Sequence, residues 1–170
     1  TRARKTRTRS FNEFSSIDYP ETAVFRDTRL VTFLRRPADQ PPVRFYERLE
    51  PAVFVLRLVP GMRADIIPLL APHYRALVLE SFGVGGLPGG EHGEMFAALR
   101  RWCESGRLAV FTTQVPHEGC DLAVYEVGRA VGELPGVLEA RDMTPEAVAV
   151  KLMWALGQTE DREEAARLFE

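Results

Sequence analysis

The stretch Val53-Phe54-Val55-Leu56-Arg57-Leu58 decides the fold class, because one arginine is the only polar residue in it. Ala76-Leu77-Val78-Leu79 and Leu108-Ala109-Val110-Phe111 repeat this apolar pattern further along the chain. Continuous rather than alternating apolar runs are typical of strands buried on both faces, as in parallel sheets covered by helices. Three such strands are therefore predicted.

Segments with helical spacing separate and follow these runs. They are predicted over Arg63–Leu70, Glu94–Ser105, Leu122–Val131, 145–156 and from Asp161 onward, where Asp161 and Glu164 form a capping-box-like start. Thr144-Pro145-Glu146 supplies a hydroxyl cap, a proline at the first helical position and an acid in the first turn, and Gly157 predicts the end of that helix. Because strands alternate with helices, the sequence predicts an α/β fold, a small doubly wound, mostly parallel sheet with helices on both faces (flavodoxin-like).

The first part of the chain lacks this periodicity. Residues 1–27 are rich in Ser, Thr and Arg and include the turn-like Ser15-Ser16-Ile17-Asp18-Tyr19-Pro20, so an extended interdomain linker is predicted there. Two short strands, Arg29–Leu34 and Val43–Tyr46, are predicted next. The α/β domain is accordingly expected to span residues 28–170.

Composition narrows the class of protein. The chain has 170 residues, 45% hydrophobic and 27% charged, which is the balance of a globular protein rather than a disordered or fibrous one. A net charge of -2 argues against a nucleic-acid partner. No apolar run approaches the ~18 residues of a membrane span, and no secretory signal is visible. Two cysteines cannot form a disulfide framework, so we expect a cytoplasmic protein.

Motifs for cofactors and metals are weak. The glycine-rich stretch Phe82–Gly90 follows a strand, but Pro88 stands where a dinucleotide-binding loop needs its third glycine. This favours a connection in which backbones approach closely. His73, His92 and His117 lack metal-ligand spacing. Neither a cofactor nor a metal is predicted.

The best ligand-binding candidate by position is Thr112–Asp121. This segment leaves the carboxyl end of a buried strand, where ligands of open α/β sheets bind, and it enters the helix that carries Tyr125 and Glu126. It also holds Cys120 with His117 close in sequence, a conceivable nucleophile pair. The residues alone predict no reaction.

Six segments carry a resemblance that covers the whole chain. In order they are Arg2-Ala-Arg-Lys5-Thr-Arg-Thr with Phe14-Ser-Ser-Ile-Asp-Tyr-Pro20, Val59-Pro60-Gly61-Met62, Glu80-Ser-Phe-Gly-Val-Gly-Gly-Leu-Pro88, Thr112-Thr-Gln, Tyr125-Glu-Val-Gly128 and Asp142-Met-Thr-Pro-Glu-Ala147. Together they resemble the second half of an L-asparaginase of the bacterial and archaeal, cytoplasmic-type, threonine-nucleophile family. The resemblance implies an amidohydrolase that converts L-asparagine to L-aspartate and ammonia through an acyl-threonine intermediate.

The resemblance also implies roles for particular residues. Lys5 matches the family lysine that helps to activate a threonine or water beside a Thr-Asp pair. Glu126 matches an acid that reaches into a neighbouring subunit's pocket and faces the α-ammonium group of the substrate. Pro60, Gly61 and Met62 match the edge of that pocket. The implied partners are L-asparagine and further copies in a homodimer or homotetramer.

Two departures from the family pattern matter. Gly-Gly-Thr and Thr-Asp, which carry the family's nucleophiles, do not occur in this sequence. We therefore expect the N-terminal nucleophile domain to be missing, to be the partner of this chain, and to be required for activity.

Members with a regulatory asparagine site have Arg, Asn and Cys where this chain has Glu80, Gly86 and Val115. Because an acid there would repel a carboxylate, no such regulatory site is expected.

Other functions remain open on the sequence. A tRNA-dependent amidotransferase subunit shares the implied architecture, and Tyr125-Glu-Val-Gly128 favours the asparaginase over it. A non-catalytic α/β module for binding or assembly is a further alternative, including a free-standing flavodoxin-like domain with its own ligand.

Overall fold

A computed structural model describes residues 3–34, 42–89 and 92–170 of the chain. These residues form two compact units, one ending at Glu47 and the other running from Arg48 to Glu170. Arg2 of the first resembling segment and Gly90 of the glycine-rich stretch lie outside the described residues.

The smaller unit contains two antiparallel hairpins. They are built from β1 (Ala3–Lys5), β2 (Phe14–Ser16), β3 (Ala23–Arg26) and β4 (Arg29–Thr32), with β1 paired to β2 and β3 to β4. The first three strands lie in the region predicted to be an extended linker. The sequence did not predict them, because an alternating pattern of three or four residues is too short to recognise.

One predicted strand is wrong. Residues 43–46 form no strand, and β4 pairs instead with β3, which precedes it. Only two residues separate β3 from β4, and the first of them, Asp27, adopts a φ of 53°. A two-residue turn that begins with a left-handed residue suits the twist of the strands, and so short a loop makes this local pairing the less costly one in chain entropy.

The larger unit is built on a four-stranded parallel sheet. Its strands are β5 (Val53–Arg57), β6 (Ala76–Ser81), β7 (Leu108–Thr113) and β8 (Val137–Glu139), hydrogen-bonded in that order. The three apolar runs of the sequence are the first three strands, as predicted. Strand β8, at the edge, follows Pro135-Gly136 and has only three residues, too few for a pattern in the sequence.

Helices cover both faces of this sheet, as predicted. They are α1 (Ile66–Leu70), α2 (Glu94–Glu104), α3 (Glu126–Gly132), α4 (Pro145–Gln158) and α5 (Arg162–Phe169). Leu77 and Leu79 belong to a core with the crossover helices α1 and α2, whereas the alternate residues Ala76 and Val78 belong to a second core with α4 and α5. Period-two alternation within one apolar strand thus supplies both cores.

Helix α4 begins as predicted and ends later. The Thr144 hydroxyl accepts a hydrogen bond from the Ala147 N–H at 3.4 Å. The helix continues through Gly157 to Gln158, so the prediction of a stop at Gly157 is wrong. A Cβ at Gly157 would lie 2.6 Å from the Arg48 carbonyl oxygen. The glycine therefore serves close packing of the chain entering the sheet rather than helix termination.

Two other helices are shorter than predicted. Helix α1 starts at Ile66 rather than Arg63, and the Asp65 carboxylate before it accepts from the Arg63 guanidinium at 2.7 Å instead of capping the helix. Helix α3 starts at Glu126 rather than Leu122. There the Ala123 carbonyl accepts from the Arg129 guanidinium at 2.8 Å, so residues 122–125 form a separate turn.

Candidate functional site

The carboxyl ends of β5, β6 and β7 meet at one edge of the sheet, and polar side chains tie them together. The Gln114 side chain donates to the Leu58 carbonyl at 2.6 Å and to the Glu80 carbonyl at 2.9 Å. The Ser81 hydroxyl donates to the Thr112 carbonyl at 2.8 Å. The loops that follow these strands therefore start from a fixed frame.

The segment favoured by position uses two of its polar groups inside the protein. The buried Thr113 hydroxyl donates to the Gly83 carbonyl and accepts from the Val115 N–H at 3.0 Å. The Gln114 side chain donates to two backbone carbonyls, those of Leu58 and Glu80. These side chains hold the loop in place and leave the segment with a structural role at its strand end.

The glycine-rich loop after β6 closes on itself. The Gly86 N–H donates to the Phe82 carbonyl at 2.8 Å, and these two residues form an isolated bridge. A Cβ at Gly85, where φ is 154°, would lie 2.6 Å from the Leu122 side chain. This agrees with the prediction of a glycine-rich connection that packs closely against its surroundings.

Pro60, Gly61 and Met62 form a tight turn at the end of β5. The Met62 N–H donates to the Val59 carbonyl at 3.1 Å, and Gly61 has a φ of 79°. A type II turn requires a positive φ at its third position, which glycine supplies, and often has proline at its second. Pro60 and Gly61 are exposed, whereas Met62 packs against the core, so the turn is anchored on one side and its outer edge is accessible.

Glu126 is the first residue of α3 and is exposed. A Cβ at Gly128 would lie 2.5 Å from the Leu122 carbonyl oxygen, so glycine is needed for α3 to pack against the loop before it. This packing fixes where the helix begins. The Glu126 carboxylate is thus presented to solvent from a positioned backbone.

Lys5 belongs to the other unit. It ends β1, its side chain is half-exposed, and its Nζ lies 2.7 Å from the Glu13 carboxylate. The turn at Pro60, Gly61 and Met62 and the residue Glu126 belong to the larger unit. Neither unit alone brings all five predicted residues together.

The two cysteines are poor nucleophiles. Both are free and buried, and burial raises the pKa of each thiol to about 12. The Cys120 Sγ donates to the Val84 carbonyl at 3.2 Å. A catalytic Cys120–His117 pair is therefore not supported.

Neither a metal cluster nor a membrane helix is found in the described part of the chain. Residues 3–34, 42–89 and 92–170 contain no group of three or more His, Cys, Asp or Glu side chains that could hold a metal ion. Among the same residues, no helix is long and apolar enough to cross a membrane.

Sequence reasoning missed a cleft beside the edge strand β8. Its volume is about 470 Å³, and its lining includes Glu139, Arg129, Arg141 and Phe169. Burial raises the pKa of Glu139, although a 3.3 Å hydrogen bond from the Leu122 N–H to its carboxylate opposes this shift. The sequence offered one weak signal for this cleft, namely that the acid Glu139 directly follows the apolar pair Val137-Leu138.

Comparison with known proteins gives a consistent result. The glutaminase/asparaginase C-terminal domain model matches residues 52–169. An L-asparaginase of Thermococcus kodakarensis is 38% identical over 171 residues, covering 100% of this chain and 51% of that relative. A glutamyl-tRNA(Gln) amidotransferase subunit of Metallosphaera sedula is 35% identical over 174 residues, covering 99% of this chain and 38% of that protein. The chain thus spans about half the length of the first relative and less of the second.

Solved structures agree with this. The thermostable L-asparaginase from Thermococcus kodakarensis superposes with a TM-score of 0.82 at 35% identity, over 100% of this chain and 51% of that one. L-asparaginase I from Vibrio cholerae gives 0.82 at 27% identity, over 99% and 51%. The parallel sheet with helices on both faces is therefore an asparaginase-type fold. This chain belongs to the glutaminase/asparaginase family, and its residues 52–169 are the C-terminal domain of that family.

Proposed function

We propose that this chain is the C-terminal part of an L-asparaginase, which hydrolyses L-asparagine to L-aspartate and ammonia. The observation that carries the proposal is the match to an L-asparaginase along the whole chain at 38% identity. Because Gly-Gly-Thr and Thr-Asp are missing from the sequence, the nucleophilic threonines come from an N-terminal half. The acyl-threonine intermediate forms on that half, and the isolated chain is inactive.

Lys5 acts in this proposal on the nucleophile side of the reaction. An ammonium group beside a Thr-Asp pair stabilises the aspartate and helps to move a proton from the attacking threonine or water. In the structure the Lys5 Nζ forms an ion pair with the Glu13 carboxylate. Lys5 is the last residue of β1 and lies opposite Phe14 of β2. Lys5 is therefore a catalytic residue only where the N-terminal half brings its threonines to it.

Glu126 and the Pro60-Gly61-Met62 turn act on the substrate side. The exposed Glu126 carboxylate reaches into the pocket of a neighbouring subunit and accepts hydrogen bonds from the α-ammonium group of asparagine. The turn, which Met62 anchors to the core, forms part of the pocket edge. This role requires a homodimer or homotetramer, and it is supported by the exposure of Glu126 on a well-packed helix.

A regulatory asparagine site is not part of the proposal. Glu80, which replaces the family arginine, is largely buried, and its carboxylate lies 3.5 Å from the Arg57 guanidinium. An anionic ligand would have to compete with this carboxylate for the same cation. Cytoplasmic localisation is proposed because both cysteines are unpaired.

Ammonia release tests the proposal directly. We expect the full-length polypeptide encoded by the gene to release ammonia from L-asparagine, and this 170-residue chain alone to release none above background. Normal turnover by the isolated chain would overturn the proposed division of labour, since the chain would then contain its own nucleophile. Equal rates with glutamine would leave the reaction class intact and show that the enzyme does not discriminate between the two amides.

An amidotransferase is the second candidate. The Metallosphaera sedula protein matches 99% of this chain, only slightly less well than the L-asparaginase does. The same assay separates the two functions. Ammonia release from free L-asparagine without any tRNA supports the asparaginase, whereas a requirement for glutamine together with a charged tRNA supports the amidotransferase.

A further inference from the structure

Helix α3 has little of its own to fix where it begins. It is seven residues long and contains two glycines, and the Tyr125 side chain before it makes no cap hydrogen bond within the described chain. Glycine lowers helix propensity, and a helix this short is marginal without tertiary contacts. The position of Glu126, the first residue of α3, therefore depends on the contacts that α3 makes with the chain around it.

The turn of residues 122–125, which leads into α3, is held by two charged side chains. The Glu139 carboxylate, at the end of β8, accepts from the Leu122 N–H at 3.3 Å. The Arg129 guanidinium, within α3, donates through Nε to the Ala123 carbonyl at 2.8 Å. Hydrogen bonds to charged groups are stronger than those between neutral groups. Because the two bonds act on adjacent residues of the turn, they connect the start of α3 to the edge strand of the sheet.

Close packing transmits the position of this turn to the helix. Leu122 is buried in the core, and a Cβ at Gly128 would lie 2.5 Å from the Leu122 carbonyl oxygen. Helix α3 thus lies directly against the backbone of the turn, and a shift of the turn has to move the helix with it. Removing the Glu139 oxygen would leave a backbone donor without its acceptor at this contact.

The burial of Glu139 destabilises its charge where a neutral side chain would avoid that cost. Burial raises the pKa of this carboxyl group, and the hydrogen bond from the Leu122 N–H is the largest effect that opposes the shift. Groups perturbed in this way are more frequent at functional sites than elsewhere. The contact that Glu139 makes is with the turn that leads to Glu126, so a function of Glu139 would act through that turn.

We propose that Glu139 and Arg129 are positioning residues, which set the place of the Glu126 carboxylate by fixing the turn at the start of α3. Their effect on the reaction passes through the turn and through Glu126, and neither side chain contacts asparagine. This inference rests on the proposed function for the role of Glu126 in binding the substrate.

A pair of substitutions at position 139 tests the role in the full-length polypeptide. Glu139→Met removes the acceptor, and we expect the KM for asparagine to rise about three- to tenfold with a smaller loss of kcat. Glu139→Gln keeps an oxygen at the same place and should restore a KM close to that of the wild type. Glu133→Met is the matched control, because Glu133 lines the same cleft, is exposed, and should leave both constants unchanged.

Two further variants separate positioning from a general loss of structure. Arg129→Met removes the second bond from an exposed position, so the variant should fold, and its KM should rise while kcat falls less. Adding Glu139→Met to a Glu126→Gln enzyme should have little further effect on KM. If Glu139 acts only through Glu126, the two substitutions remove the same binding contribution and are not additive.

The exchange of single backbone amides tests the same contact without using activity. The amides are those of Leu122, which donates to Glu139, and of Arg129, whose N–H donates to the Tyr125 carbonyl at 3.0 Å and closes the first turn of α3. In this 170-residue chain Glu139→Met should speed the exchange of both by about tenfold or more. Glu139→Gln and Glu133→Met should leave both rates near those of the wild type.

Three results would overturn the positioning role. One is a wild-type KM for Glu139→Met. Another is a rise in KM that is as large in the Glu126→Gln enzyme as in the wild type. The third is an unchanged exchange rate of the Arg129 amide in Glu139→Met, which would show that Glu139 does not hold the start of α3. A full-length polypeptide that releases no ammonia from asparagine would instead reject the proposed function, and faster exchange in Glu139→Met would still support the anchoring of α3 by Glu139.

Discussion

At the scale of single residues, a carboxylate is useful or costly according to what surrounds it. Glu126 is exposed at the start of a well-packed helix, so its charge is solvated and available to a ligand. Glu139 lies at the end of β8, where burial raises its pKa. Glu80 is largely buried beside the Arg57 guanidinium. The three acids look alike in the sequence, and only their environments separate them.

Under the proposed function, Glu126→Gln should weaken the binding of asparagine more than it slows the chemical step. We expect the KM of the full-length enzyme for asparagine to rise about tenfold with a smaller loss of kcat, because an amide binds an ammonium group less well than a carboxylate does.

Lys5→Met should show the opposite pattern, a loss of kcat of about a hundredfold or more with little change in KM. Steady-state kinetics on both variants measure the difference. Unchanged kinetics would remove the substituted residue from the site.

Glu139→Gln should increase stability in a pH-dependent way. Since burial raises the pKa of Glu139 above 4.5, the folded state favours its protonated form, and stability is lost as pH rises through the folded-state pKa. Gln cannot ionise and keeps an oxygen that accepts from the Leu122 N–H. The variant should therefore gain Tm relative to the wild type at about pH 7 and show little gain at about pH 4.

Thermal melts of the wild type and the Glu139 variant across that pH range check the expectation. Glu133→Gln is the matched control, because Glu133 lines the same cleft but is exposed. A gain for the Glu139 variant that is the same at both pH values would contradict the assigned burial penalty.

At the scale of elements, a side-chain cap marks where a helix begins, whereas α1 and α3, which have no side-chain cap hydrogen bond, begin later than predicted. Thr144 caps α4, and the Asp161 carboxylate caps α5 by accepting from the Glu164 N–H at 2.8 Å, both as predicted. Gly157, which falls near the end of α4, lies instead against the carbonyl of Arg48, more than a hundred residues earlier in the chain. A cap is a contact within four residues, whereas a close approach between distant segments leaves no local pattern.

Gly157→Ala separates these two explanations of the glycine. Helix propensity alone predicts stabilisation by about 1 kcal/mol. The 2.6 Å approach of the new Cβ to the Arg48 carbonyl oxygen predicts destabilisation by about 1–3 kcal/mol, since a rigid backbone must move. Denaturant unfolding measures the sign. Gly132→Ala is the control, because its Cβ in α3 would meet nothing closer than 3.8 Å and should be tolerated.

At the scale of the whole molecule, stability is concentrated in one unit. Both apolar cores belong to the sheet and helices from Arg48 onward, and the smaller unit contributes no buried residue to them in the described chain. Each face of a parallel sheet has to be buried against another layer, and here helices bury both faces in an apolar core.

Deleting residues 1–47 should therefore leave the fold of the larger unit intact. We expect the truncated chain to unfold cooperatively, with a free energy of unfolding within about 1 kcal/mol of that of the untruncated chain, because none of the described residues that are removed is buried. Circular dichroism with denaturant titration measures both values. Loss of cooperative unfolding would show that the smaller unit contributes to the core after all.

The sequence by itself determined the parallel sheet and the order of its elements, because three uninterrupted apolar runs and strong helix caps are local chemical patterns. It also carried the motifs that relate the chain to asparaginases. Only the tertiary structure decided the addition of β8 at the edge of the sheet, the close packing at Gly157 and the internal use of Thr113 and Gln114. These features arise from contacts between segments that come together only in the folded chain, and neither periodicity nor propensity records which group will come within hydrogen-bonding or van der Waals distance.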